Sequence, residues 1–302
     1  MTAVHSSFLQ GFELRRQRVG DIEIQYAVAG SGPPVLLLHG HPQTHVVWRK
    51  VAPALVEEGF TVIAPDLRGY GDSDKPASDE QHLAYSKRVM AADQRGLMAA
   101  LGHDRFAVVG HDRGGRVAHR LALDHREAVC SMTVLDIAPT LTMYQKTDQD
   151  FATRYFWWFF LIQPHDLPER LIGYDPEYFL RRHIAGQVKI DGSVCEAVMA
   201  EYLRTYRNPA TIHAICEDYR AAASIDLEHD RHDLEARIEC PLLAIWGARG
   251  VVGQTYDVVE TWRSKARSVE GLALDSGHAI PEEMPAELVE ALLPHLRHGF
   301  ES

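Results

Sequence analysis

The sequence predicts an α/β fold: a mostly parallel, twisted sheet flanked by helices, with a helical cap inserted late in the chain. Three observations carry that expectation. Short apolar runs bounded by turn residues alternate with amphipathic stretches, the pattern of parallel strands joined by crossover helices. The alternation stops between Pro139 and about Ile225, gives way to an aromatic-rich helical pattern broken at Pro164, Pro168 and Pro176, and then resumes. At 302 residues, 46% apolar and 24% charged, the chain has material for one large core plus an insertion.

Residues 12–19 and 21–28 read as a hairpin turning at Gly20-Asp21. A buried strand at 34–38, a helix at 48–58, a strand at 61–64 and a long helix at 84–101 follow. Next come a strand at 105–110, a helix running on from Gly115, and a strand at 131–136. After the insertion, 241–246 reads as a strand, 256–266 as a helix, 271–274 as a strand and 285–296 as a final helix. The expected division is a core of 1–139 and 226–302 around a cap of 140–225. No internal repeat or low-complexity tract interrupts it.

A formal charge of −11 with no basic stripe argues against nucleic acid or an anionic membrane as partner. Cys130, Cys195, Cys216 and Cys240 are widely spaced and contain no Cys-x-x-Cys pair, so they read as reduced, mostly buried thiols. The first eight residues lack a basic segment followed by an apolar core, and the longest apolar run, 155–162, is too short to span a bilayer. A cytoplasmic protein is expected.

The most informative stretch is Gly110-His111-Asp112-Arg113-Gly114-Gly115-Arg116. It has the Gly-x-nucleophile-x-Gly layout of an α/β-hydrolase elbow, between a strand and a helix as that motif requires, but with aspartate where a serine would stand. A carboxylate is already charged at neutral pH and can displace a leaving group from sp³ carbon to form an alkyl ester. The alternative is a surface turn in which Asp112 only caps the helix. Arg113 and Arg116 beside it call for an anionic substrate.

Three further segments complete a candidate site. His39-Gly40-His41-Pro42 follows a buried strand, where the backbone N–H groups of His41 and Arg113 could form an oxyanion hole. Of seventeen histidines, His278 lies on the loop between the last strand and last helix, the place of the general base in the chain order nucleophile, acid, histidine. The orienting acid should follow either the strand after the elbow helix or the penultimate strand. The latter runs into Gly247-Ala248-Arg249-Gly250 and offers no acid, whereas the former ends in Asp136. Asp66-Leu67-Arg68-Gly69-Tyr70-Gly71 lacks phosphate-loop lysine and dinucleotide spacing, so it reads as a scaffold turn. His39 and His41 have no matching ligand cluster in sequence, so neither metal nor other cofactor is expected.

Across nearly its whole length the chain resembles the haloacetate dehalogenases, whose best-studied members are fluoroacetate dehalogenases, in the capped α/β-hydrolase superfamily. The resemblance is carried by His111-Asp112-Arg113-Gly114-Gly115-Arg116, Leu135-Asp136-Ile137, Cys216-Glu217-Asp218-Tyr219-Arg220-Ala221, and Ser276-Gly277-His278 with Pro281-Glu282-Glu283. It implies that Arg113 and Arg116 hold a 2-haloacid carboxylate, that Trp158 and Tyr219 donate to the departing halide, and that the protein is a homodimer. The sequence departs from the family at Trp157, where fluoride-releasing members typically carry histidine. That change leaves Trp157 as a third candidate halide donor and predicts that carbon–chlorine and carbon–bromine cleavage are favoured over carbon–fluorine. His41 stands where phenylalanine is commoner. The competing expectations are an epoxide hydrolase using the same three residues with Tyr219 as proton donor, disfavoured because tryptophan usually follows the nucleophile there, and a non-catalytic ligand-binding homologue.

Overall fold

The computed structural model describes residues 4–301; the first three residues and the last, which the expected core includes, lie outside the described residues. A single nine-stranded sheet runs through the core: β1 (Val4–His5), β2 (Glu13–Val19), β3 (Ile22–Ala29), β4 (Pro34–Leu38), β5 (Thr61–Pro65), β6 (Phe106–His111), β7 (Val129–Leu135), β8 (Leu242–Gly247) and β9 (Val269–Leu274). The spatial order is β1-β2-β3-β5-β4-β6-β7-β8-β9, antiparallel through β1, β2, β3 and β5 and parallel from there on.

The central strands are apolar throughout because both faces are covered. Successive side chains point to opposite faces. Leu36 and Leu38 of β4 and Val108 of β6 pack on one side with Met90, Leu97, Val117 and Leu121, whereas Val35, Leu37 and Val109 pack on the other with Leu55, Leu288 and Leu292. The helices behind these layers are α1 (Ala52–Glu57), α2 (Lys87–Ala100), α3 (Arg113–Asp124) and the last helix of the chain, Pro285–Glu301. Each fully buried leucine or valine contributes on the order of 1.5–3 kcal/mol.

Between β7 and β8 lie eight helices: α4 (Thr140–Gln145), α5 (Gln149–Arg154), α6 (Phe156–Phe160), α7 (Leu167–Tyr174), α8 (Pro176–Gln187), α9 (Glu196–Tyr206), α10 (Pro209–Ala223) and α11 (Ile225–His232). The helical run thus continues to His232, seven residues past the boundary at 225/226 suggested by the sequence pattern. After β8 come α12 (Val251–Thr255) and α13 (Val258–Arg263), then α14 (Ile280–Glu283) and α15 (Pro285–Glu301).

Some elements differ from the sequence pattern for local reasons. The helix expected at 84–101 is a 3₁₀ turn, Leu83–Tyr85, followed by α2, because Ser86 adopts an extended conformation and its hydroxyl caps Val89 N–H. The helix expected at 48–58 likewise divides into a 3₁₀ turn, His45–Lys50, and α1, which starts with Pro53 in its first turn. The 256–266 segment holds only the short α13, capped by the Asp257 side chain. All four cysteines are free, but Cys195 is exposed. Among the described residues no helix is long and apolar enough to cross a membrane.

The strand order places a switch point at β4 and β6, whose connections leave in opposite directions and open a crevice at the carboxyl ends of the strands.

Candidate active site

The loops that follow β4, β6, β7 and β9 all end at this crevice, and they carry His41, Asp112, Asp136 and His278. Asp112 occupies the turn between β6 and α3 with φ of 46°, a conformation costly for a residue with a β-carbon. Glycines make the turn possible. A β-carbon on Gly40 would stand 2.5 Å from Asp112 Cβ, and one on Gly110 would stand 2.5 Å from the Gly114 carbonyl oxygen. Although Asp112 occupies the cap position of α3, its side chain makes no capping bond. Instead its Oδ2 accepts from His41 N–H at 3.2 Å. Arg113 is the first residue of α3, so its N–H is among those the helix cannot use internally.

His278 and Asp136 are joined by a 2.5 Å contact between Nδ1 and Oδ2. Asp136 Oδ1 accepts from Gly247 N–H at 3.0 Å, so the acid-free loop after β8 supplies a donor to the acid after β7. Burial alone would depress the His278 pKa. The hydrogen bond and charge of Asp136, with the charge of Asp112 behind them, outweigh burial and hold it above the ordinary histidine value. Burial would raise the Asp112 pKa, but the charges of His278, Arg113 and Arg116 prevail and keep the carboxyl below its usual value. Asp112 is therefore ionised at neutral pH.

The arginines are fully enclosed and differ in their partners. Arg113 is clamped by Asp218: Nε donates to Oδ2, and one terminal nitrogen donates to Oδ1 and to the backbone carbonyl, each at 2.8 Å. Asp218 is itself held by the Tyr70 hydroxyl at 2.6 Å and by the Lys87 ammonium. Among the described residues Arg116 makes no salt bridge, and it donates to the Ala138 carbonyl at 3.2 Å and the Thr140 hydroxyl at 2.8 Å. Burial and the neighbouring Arg113 charge lower its pKa, although a guanidinium keeps its proton. One nitrogen of each, Arg113 Nη1 and Arg116 Nε, is buried with no partner among the described residues.

Cap side chains close the crevice. The Tyr219 ring lies 4.1 Å over the Arg113 guanidinium and the Trp158 ring 4.7 Å over that of Arg116. Tyr219 Oη is 3.4 Å from His41 Nδ1. Trp157 lines a cavity of about 270 Å³ together with Tyr155, Gln187, Arg249 and His278. The candidate site residues named from the sequence are thus gathered at one crevice, from four core loops, the core helix α3 and two cap helices.

Sequence reasoning missed the roles of Asp218 and Glu283. Glu283 accepts from the N–H groups of Gly277 and Ala279 at 3.0 and 3.1 Å and of Lys189 and Ile190 at 2.7 and 3.0 Å. One carboxylate thereby fixes the loop that carries His278 and ties it to the cap. Its place at the end of the one-turn α14, four residues after the Ala279 whose N–H it accepts, was the available signal. His165, Glu169 and His213 also bring ligand-type atoms within 4.8 Å of one another. Arg220 takes both Glu169 oxygens, at 2.6 and 3.0 Å, and a cation there opposes a metal ion.

Residues 33–283 match the family model described as the alpha/beta hydrolase fold. The chain is 43% identical over 296 residues to a fluoroacetate dehalogenase from a Burkholderia species, covering 96% of this chain and 97% of the other. It is 36% identical over 282 residues to a soluble epoxide hydrolase of Corynebacterium sp. strain C12, covering 91% and 94%. A solved structure from Salmonella enterica, provisionally named an acyltransferase, superposes with a TM-score of 0.96 at 58% identity over 97% of each chain. The chain belongs to the α/β-hydrolase fold family and, within it, to the haloacetate dehalogenase family.

Proposed function

We propose that the protein is a hydrolytic dehalogenase converting small 2-haloacids to 2-hydroxyacids and halide through an aspartyl ester. One observation carries this reading: beside the buried, ionised Asp112 stand two enclosed guanidinium groups, each with an N–H that has no partner among the described residues. Those two donors suit a carboxylate, and holding it presents the α-carbon to Asp112.

Because Oδ2 of Asp112 is engaged by His41 N–H, Oδ1 is the attacking atom. It forms a bond to the α-carbon as the halide departs with the carbon–halogen electron pair toward Trp158 and Tyr219, with Trp157 alongside. Oδ2 becomes the ester carbonyl oxygen, already seated against the N–H that stabilises it when water attacks. His278 takes a proton from that water, and Asp136 stabilises the imidazolium. Esterification also removes the Asp112 charge, one of the influences raising the His278 pKa, so the base is more readily neutral at the step that needs it. As the tetrahedral species collapses, the ester C–O bond breaks and the His278 imidazolium returns its proton to the departing alkoxide oxygen, releasing the 2-hydroxyacid, glycolate in the simplest case, while the regenerated Asp112 carboxyl loses its own proton to solvent.

The Corynebacterium relative motivates a second reading, an epoxide hydrolase in which Tyr219 protonates the opening ring. An epoxide has no group to pair with Arg113 Nη1 and Arg116 Nε, which favours the haloacid. Acyl transfer suits the site less well, because carboxylate attack on an acyl carbon gives a mixed anhydride. A non-catalytic binding role would leave the ionised Asp112 and the His278–Asp136 pair without a purpose. Cytoplasmic residence and assembly as a homodimer belong to the same proposal.

The test is halide release from fluoroacetate, chloroacetate, bromoacetate and 2-chloropropionate, with an epoxide as control. Chloride and bromide release well above fluoride release supports the reading. Turnover of the epoxide alone contradicts it.

A further inference from the structure

His183, on α8, has 6% of its surface exposed, and neither ring nitrogen has a hydrogen-bond partner among the described residues. Its surroundings are rings: Trp157 meets it edge to face at 4.7 Å, His41 lies at 4.5 Å, and Phe179 stacks at 6.1 Å. An imidazole sealed in this way gives up its bonds to water without replacement, a cost that a leucine or phenylalanine in the same space would not incur. The ring is poised for an acceptor that the chain itself does not provide.

Its neighbours narrow what that acceptor is. Trp157 precedes Trp158 in α6, and His41 lies 3.4 Å from the Tyr219 hydroxyl, so through its two ring neighbours His183 stands one residue away from each of the two proposed halide donors. The substrate carboxylate is taken up by Arg113 and Arg116, and a cation is disfavoured by the same pair. On a 2-haloacid the remaining acceptor is the halogen.

We propose that His183 is a specificity-determining residue whose ring N–H donates a hydrogen bond to the departing halide beside Trp157. This inference rests on the 2-haloacid reading above. The halide leaves with the bonding pair and remains an anion, while the imidazole keeps its proton. Burial holds His183 well below the ordinary histidine pKa, so it is neutral and offers one N–H. Hydrogen-bond acceptance strengthens from bromide to chloride to fluoride, so the contribution is greatest for the smaller ions.

The experiment compares kcat for chloroacetate and bromoacetate in the full chain and in His183→Phe, His183→Leu and His183→Gln, together with inhibition by added chloride. The phenylalanine and leucine variants should lose about tenfold on chloroacetate and about threefold on bromoacetate, the size expected for one hydrogen bond to an ion. Chloride should inhibit them more weakly, and glutamine, which retains an N–H donor, should recover most of the chloride-to-bromide ratio. An unchanged ratio and unchanged chloride inhibition in the variants that fold would overturn the inference while leaving the parent reading intact. A wild-type protein inactive on every haloacid would overturn both.

Discussion

The core side of the crevice and its cap side are built on different physics. Asp112, Asp136 and His278 stand on loops at strand ends, tied by backbone donors, by Glu283 and by one another at hydrogen-bond distances of 2.5–3.2 Å. Trp157, Trp158, His183 and Tyr219 approach from cap helices through ring packing and a 3.4 Å hydroxyl contact, and the arginines lie beneath them. The core side fixes charges and angles, which the bond-making steps require. The cap side offers shape and single N–H or O–H groups, which can change without dismantling the nucleophile and its base. In this account, chemistry is set by the sheet and halide choice by the cap.

That division is broken most severely by removing the nucleophile. Asp112→Ala should lower kcat by about 10⁴-fold or more, and any substantial residual halide release would show that another group attacks. His278→Gln should abolish multiple turnover to a similar extent but permit one round of halide release. Intact-protein mass spectrometry after mixing with bromoacetate should then find an added carboxymethyl group on Asp112; an unmodified protein with no halide burst would contradict separate roles for the two residues.

Asp218→Asn probes the clamp beneath the crevice. Loss of a charge-assisted partner should leave Arg113 less well oriented and raise KM for haloacetates by about tenfold, with a smaller change in kcat. An unchanged KM would deny Asp218 a part in holding the substrate carboxylate through Arg113. The smallest expected effect is on the cap: Trp157→His should raise fluoride release relative to bromide release by about tenfold, the scale of one hydrogen bond to an anion. An unchanged ratio would detach Trp157 from halide choice.

The pH dependence sharpens the same contrast. His278 must be neutral to accept a proton; its partners raise its pKa above that of ordinary histidine in the free protein, and because the esterified Asp112 no longer contributes its charge, ester hydrolysis should climb with pH through a value below that of His278 in the free protein. Asp136→Asn removes the raising partner. The acid limb should then move to lower pH even as kcat falls by about 10²–10⁴-fold, and a limb that stayed in place would deny Asp136 its electrostatic influence.

The sheet was legible because buried parallel strands are continuous apolar runs and their turns are short. Asp112 and His278 could be placed from the order of elements, and Asp136 from the lack of an acid after β8. Breaks inside helices were harder: Ser86 divides 84–101 by a capping bond that competes with an otherwise good helical pattern. Asp218 was not legible as a site residue because it meets Arg113 across 105 positions, and Glu283 only in part, because its bonds to Gly277 and Ala279 are local but it meets Lys189 across 94. For His183 the informative fact is that neither ring nitrogen has a hydrogen-bond partner among the described residues, which only three-dimensional packing reveals.

The central claim is that Asp112 is alkylated and that water then attacks its own carbonyl carbon. A single turnover with excess enzyme in heavy-oxygen water tests it directly, by mass analysis of the Asp112 peptide and of the hydroxyacid released. The Asp112 carboxylate should carry the label and the first equivalent of glycolate none. Label entering that glycolate directly, with Asp112 unlabelled, would contradict it.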